Sequence, residues 1–172
     1  MYVFDLDLTI WETFDKRGSP IWAKQLIFPM QKITEDLVID DVGSTCSLKK
    51  GVREYFSLLK LNNLTIGYVS AGRHWNFDDD HQPSLHLLEL FGLSHFFNGM
   101  KVLNYKTIKK SEILRGYKQK IIFYDDDDKV IEDVGQLSHV HIFDAKKIDD
   151  WRHEQSLERT KIRRPDLLNR IS

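Results

Sequence analysis

Short apolar runs recur along the chain, and four of them end on a polar or acidic residue. Tyr2–Phe4 precedes Asp5, Leu64–Val69 precedes Ser70, Val102–Leu103 precedes Asn104, and Ile121–Tyr124 precedes Asp125. A fifth run, Val140–Phe143, lies near the end. Runs of this length, rich in β-branched and aromatic residues, read as buried strands. Helical spacing fills the intervals. Val52, Tyr55, Phe56 and Leu59 share one helical face. Leu85, Leu88 and Phe91 do the same after Pro83, with Gly92 as a stop. Ile113, Leu114 and Tyr117 form a shorter stripe interrupted near Gly116, and Val130, Ile131, Val134 and Leu137 form another, with Asp128 as candidate N-cap.

Strands alternating with helices predict an α/β fold with a central parallel sheet and right-handed crossovers. Such sheets bind ligands at the carboxyl ends of their strands. Asp5, Ser70 and Asp125 all fall there. Two regions break the alternation. Residues 10–49 carry Pro20, Pro29, Gly18 and Gly43 among short apolar pieces, and read as a small insertion with short strands or a hairpin. Residues 145–172 are highly charged, with Arg159, Lys161, Arg163 and Arg164 before Pro165, and read as a solvated surface extension.

The chain of 172 residues is long enough for one compact domain with a full core. Its net charge of −1 provides no strong attraction to nucleic acid or an anionic membrane. No stretch is long and apolar enough to span a bilayer. The start, MYVFDLD, lacks a basic region and an apolar signal segment, so with Met1 as the true start a cytoplasmic protein is expected. The single cysteine, Cys46, excludes an internal disulfide and a Cys-rich zinc site, and reads as a small buried apolar residue. His139 and His141 would share a strand face, but no third metal ligand accompanies them. His74, just after Ser70, reads as a loop residue.

The strongest chemical signal is Asp5-Leu6-Asp7-Leu8-Thr9. A carboxylate at Asp5 can attack phosphorus and hold the phosphoryl group covalently. A metal must then offset the phosphoryl charge. A second carboxylate, Asp7, can protonate the leaving oxygen and later activate water. Ser70 ends a strand, where its hydroxyl and nearby N–H groups suit phosphate oxygens. Lys106 follows the next short strand and can neutralise a phosphoryl oxygen, with Lys109 and Lys110 as alternatives close by. Asp125–Asp128 are four successive acids that repel one another without a cation. At the end of a buried strand they suit a hard divalent ion such as magnesium. Asp125 and Asp126 are the expected functional pair, with Asp127 and Asp128 as helix-capping residues.

These motifs, in this order from Val3 to about Val134, resemble the haloacid dehalogenase-like superfamily. Asp5 to Trp11, Ser70-Ala71-Gly72-Arg73, Leu87 to Phe91 and Phe123 to Asp126 are most similar to its magnesium-dependent phosphatase group. The resemblance implies a Rossmann-like three-layer sandwich with a small flap after the first strand. The interval from Ser70 to Lys106 holds one helix and one strand, which leaves no room for a large cap. It further implies Asp5 as nucleophile and magnesium ligand, and Asp7 as general acid/base with its backbone carbonyl on the metal. Ser70 and Lys106 would hold the phosphoryl group, with Ala71 and Arg73 beside the substrate, and Asp125 and Asp126 would complete the Mg2+ site. The expected activity is phosphomonoester hydrolysis on a phosphorylated small molecule or phosphoprotein, with phosphotyrosine and sugar phosphates as the substrate classes and a monomer or weak dimer as the working unit. Phosphoryl transfer to another acceptor, and a non-catalytic phosphate-binding role, are the competing readings. The open site favours hydrolysis, and the complete carboxylate set favours an enzyme.

Overall fold

Strands β1 (Tyr2–Phe4), β7 (Ile66–Ser70), β8 (Lys101–Leu103), β9 (Ile121–Asp125) and β10 (Val140–Asp144) form in the places where the apolar runs predict them. In this computed structural model, which describes residues 1–78, 81–104 and 109–147, they make one parallel sheet in the order β10-β9-β1-β7-β8. Lys106 and the extension beyond Lys147 lie outside the described residues.

Alternation along the strands divides the core into two layers. Phe4, Tyr68 and Tyr124 are in register on one face and pack with α1 (Val52–Leu61) and α2 (Pro83–Leu90) through Phe56, Leu59, Leu87 and Leu88. Val3, Val69 and Phe123 occupy the opposite face, with Leu114 of α3 (Lys110–Arg115) and Val134 of α4 (Asp128–Val134). The result is the expected α/β three-layer sandwich. The N-cap of α4 is Asp127 rather than Asp128. Asp127 keeps extended backbone and its side chain accepts from the Lys129 N–H, while Asp128 is already the first helical residue.

The insertion is more elaborate than a hairpin. β2 (Trp11–Phe14), β3 (Pro20–Ile21), β4 (Gln31–Thr34), β5 (Leu37–Ile39) and β6 (Thr45–Leu48) form a second, antiparallel sheet in the order β3-β2-β6-β5-β4. Trp11, Ala23, Leu26, Val38 and Cys46 from this segment are buried and belong to the same apolar cluster as Phe4 and Phe56. The sheet was understated by the sequence because its strands have only two to four residues. Its central pairing, Trp11–Phe14 on Thr45–Leu48, also joins segments far apart in the chain. Burial pushes the Cys46 thiol up to about 12, as an inert interior residue requires.

Gly67 in β7 permits a close backbone approach. A Cβ there would lie 2.5 Å from the Met100 carbonyl oxygen and 2.9 Å from its nitrogen, and neither backbone atom can move without breaking the strand edge. Gly67→Ala is therefore expected to destabilise the protein by about 2 kcal/mol or more, read as a lower urea midpoint with an unchanged slope.

Candidate active site

Period-two alternation carries Asp5 and Asp125 onto one side of the sheet. Asp5 continues the face of Val3, and Asp125 the face of Phe123, and that face is covered by α3. Lys110, the first residue of α3, reaches between them. Its Nζ lies 2.8 Å from Asp5 Oδ1 and donates to Asp125 Oδ2 at 2.7 Å. The same ammonium lies 5.9 Å from the centre of the Phe123 ring. Asp125 is wholly buried, and its Oδ1 accepts the Asp127 N–H at 2.9 Å. Ser70, 1% exposed, ends the neighbouring strand, and its side chain acts to lower the Asp5 carboxyl pKa. Gly72 lies close to Ser84, where a Cβ would approach the Ser84 hydroxyl to 2.8 Å and make that side chain shift.

Asp7 is held differently. The chain reverses sharply after β1, with Ile10 N–H on the Leu6 carbonyl and Leu8 N–H on the Trp11 carbonyl, both at 2.8 Å. Leu8 sits in the left-handed region at φ 60°, a cost of about 1 kcal/mol for a residue with a Cβ. The Lys49 ammonium donates to the Leu8 carbonyl and steadies the reversal. This turn brings the Trp11 indole against Asp7: Nε1–H donates to Asp7 Oδ1 at 2.9 Å, and the Ala23 N–H donates to the same oxygen at 3.0 Å.

A cavity of about 630 Å³ opens over these groups. Asp5, Asp7, Ser70, Ala71, Lys110, Asp125 and Asp126 line it, and Trp22 and Lys24 of the insertion, with Lys129 and Lys146, border it. Arg73 lines a separate cavity of about 190 Å³ with Tyr68 and Gln82, so six of the expected residues converge while Arg73 stands apart among the described ones. His74 accepts the Asn76 N–H and stacks on Trp75 in its loop, and His139 bonds the Leu114 carbonyl rather than a metal partner. Lys110, expected only as an alternative to Lys106, lies in the cavity, while Lys106 falls outside the described residues. Lys110 shares a helical face with Ile113, Leu114 and Tyr117, which marks an inward-facing position.

Burial is the largest influence on the acids. It raises Asp5 and Asp125, with added repulsion from Asp7 on Asp5 and from Asp5 on Asp125, and Lys110 only partly offsets this; the pair is pushed up to about 6. Burial also raises Asp7, against the Trp11 and Ala23 hydrogen bonds, and raises Asp126 with help from Asp125. Burial works to lower Lys110, but Asp5 and Asp125 outweigh it and hold its ammonium above the ordinary value.

Ligand atoms of Asp5, Asp125 and Asp126 lie within 4.8 Å of one another. Asp5 Oδ1 is buried and accepts no hydrogen bond, because the nearby Lys110 ammonium is a charge contact without hydrogen-bond geometry. Three carboxylates around an unsatisfied oxygen fit a hard, oxygen-seeking divalent cation such as Mg2+. The family model described as Acid Phosphatase matches residues 1–159. No curated protein matches the chain.

The raised carboxyls have a consequence for stability. A carboxyl whose folded pKa is raised holds its proton in the folded state from about 3.8 up to about 6. Its stabilising contribution is complete below that window and lost as pH rises through it. At pH 7.5 the metal-free site therefore carries uncompensated carboxylate charge. Asp5→Asn should raise the melting temperature of EDTA-treated protein by on the order of 2–4 °C at pH 7.5, with the gain shrinking at pH 4, as calorimetry at the two pH values would record.

Proposed function

The chain belongs to the Acid Phosphatase family, a haloacid dehalogenase-like phosphatase family, and on that premise we propose that it hydrolyses phosphomonoesters in a magnesium-dependent reaction through an aspartyl-phosphate on Asp5. The observation that carries this reading is the convergence of Asp5, Asp125 and Lys110 at the carboxyl edge of the sheet, with Asp7 lining the same cavity.

Asp5 is the nucleophile, and one of its oxygens attacks phosphorus. Asp7 protonates the leaving oxygen in the first half-reaction and takes a proton from water in the second. Ser70 and Lys110 hold the phosphoryl oxygens, and Ala71 borders them. Asp5, Asp125 and Asp126 would hold Mg2+, with the Asp7 backbone carbonyl as the family resemblance implies. A bound Mg2+ supplies positive charge that offsets the phosphoryl oxygens during transfer. In the resting protein Lys110 offsets part of the charge of the buried carboxylates. It is then placed to turn toward an incoming phosphoryl group.

The cavity accepts more than a phosphate group alone. Trp22 beside it is 43% exposed and offers an aromatic face at the rim. Such a site suits phosphotyrosine in a protein or a sugar phosphate. Its openness to water favours hydrolysis over transfer to a second substrate.

The reading requires that p-nitrophenyl phosphate is hydrolysed in the presence of Mg2+ and that activity disappears with EDTA and returns when Mg2+ is restored. Full turnover in thoroughly chelated enzyme would overturn the metal assignment.

The lysine assignment has its own test. Lys110→Ala should lower kcat by on the order of 10²-fold, the loss seen on removing one preorganised charge donor, while Lys109→Ala stays within a few-fold of the parent by the same reasoning. Lys109 is well exposed and lies 4.0 Å from Asp133. Should Lys106→Ala prove the damaging change and Lys110→Ala a mild one, the role returns to Lys106.

A further inference from the structure

We propose that Trp11 and the Ala23 amide are positioning groups for the Asp7 carboxyl, fixing Oδ1 so that Oδ2 alone passes protons to and from the reacting phosphate ester. The proposal rests on the reading of Asp7 as general acid/base. Among the described residues, the Asp7 side chain accepts two hydrogen bonds, both on Oδ1, from Trp11 Nε1 at 2.9 Å and Ala23 N at 3.0 Å. An indole N–H and a backbone N–H can only donate. An oxygen that accepts two such bonds has no room to carry a proton of its own, so the transferable proton resides on the other oxygen.

The two donors are rigid. Trp11 is fully buried, is paired in β2 with Leu48, and packs near the Phe91 ring at 6.3 Å between centroids. Ala23 is fully buried too, and it belongs to the short helical turn Ala23–Gln25 of the inserted sheet. The Ala23 amide lies sixteen residues along the chain from Asp7. A correctly aimed acid therefore requires the insertion to be seated, and the same turn presents Trp22 and Lys24 to the cavity. A carboxyl free to rotate about its terminal torsion would present either oxygen in a broad range of orientations. The two N–H groups remove that freedom before substrate arrives, which is the preorganisation that general acid catalysis needs.

The proton balance follows. In the first step an Asp5 oxygen bonds to phosphorus, the bond from phosphorus to the leaving oxygen breaks with its electron pair on that oxygen, and the proton on Asp7 Oδ2 moves there to release the alcohol. In the second step water oxygen bonds to phosphorus and its proton moves to Oδ2. The bond from phosphorus to Asp5 breaks, and the carboxylate and inorganic phosphate separate.

The experiment is Trp11→Phe, which keeps an aromatic ring and removes the N–H, assayed with Mg2+ on a series of phosphate esters from p-nitrophenyl to alkyl. A nitrophenolate departs without a proton, whereas an alkoxide requires one. The expected result is a fall in kcat/KM on the order of 10²-fold for alkyl esters, comparable with losing general acid assistance, and a change of roughly three-fold or less for p-nitrophenyl phosphate by the same principle. An equal fall across the series, or no fall at all, would overturn the proposal, since a merely structural tryptophan does not sense the leaving group. Ala23→Pro gives a second route if Trp11→Phe folds poorly. Residue 23 opens its helical turn and Trp22 already has the extended backbone that precedes proline, so the change removes the N–H from an accessible conformation. The same leaving-group selectivity is expected, and its absence counts against the proposal. Asp7→Asn separates the two levels of the argument. If it spares alkyl ester turnover, Asp7 is not the acid and the underlying reading fails. If it abolishes that turnover while Trp11→Phe falls uniformly, only the positioning role is lost.

Discussion

The Lys110 ammonium between two buried carboxylates is the constraint on which the site depends. Asp5 and Asp125 end adjacent parallel strands and point to the same side of the sheet. Neighbouring carboxylates in an apolar setting repel, and each is costly to bury alone. Lys110 sits within 3 Å of both, and its charge is sustained by them against its own burial. One ammonium faces two carboxylates, so removing Lys110 would leave both acids buried without a counter-charge, whereas removing one acid leaves a matched pair. A site built in this way is poised to exchange one cation for another or to release the ammonium toward an anionic group, which is what phosphoryl chemistry asks of it.

The second support is the inserted sheet. In sequence it follows the first strand as a run of short polar and apolar pieces. In space it is a five-stranded antiparallel sheet whose buried residues share a cluster with the core of the parallel sheet. Two consequences meet at Asp7. The tight reversal at Leu8 sends the chain back so that Trp11 faces Asp7, and the turn at Ala23 supplies a second donor. The insertion thus contributes to the chemical centre as well as to the rim, through Trp22 and Lys24.

Much of this was legible in the chain. The five apolar runs became the five parallel strands, with boundaries shifted by a residue or two. The acidic and hydroxyl residues that end them converge because parallel strands place their carboxyl ends together. The insertion was readable as a break in the α/β rhythm with short strands or a hairpin, but not as a five-stranded sheet, because strands of two to four residues carry no sign of which distant segments they pair with. The lysine was readable only as one of three neighbours. Lys106 was preferred for its place nearest the strand end; Lys110 lies in phase with Ile113, Leu114 and Tyr117, but a lysine on an apolar face looks anomalous until the buried acids that meet it are in view. The N-cap fell one residue earlier than expected, since in a run of four aspartates composition cannot say which one leaves the strand conformation first.

The sequence by itself determined the order of strands and helices, the parity that sends Asp5 and Asp125 to one face, and the carboxylate set that suits a divalent ion. Each of these follows from local periodicity or from residue chemistry. The tertiary structure alone decided that Lys110 bridges the two acids, that Arg73 turns to a different cavity from Ser70, and that Trp11 and Ala23 bond one oxygen of Asp7. These depend on side chains from distant segments meeting at distances of about 3 Å, the range in which hydrogen bonds and ion pairs act, and one-dimensional spacing carries no information about such meetings until the sheets have closed around them.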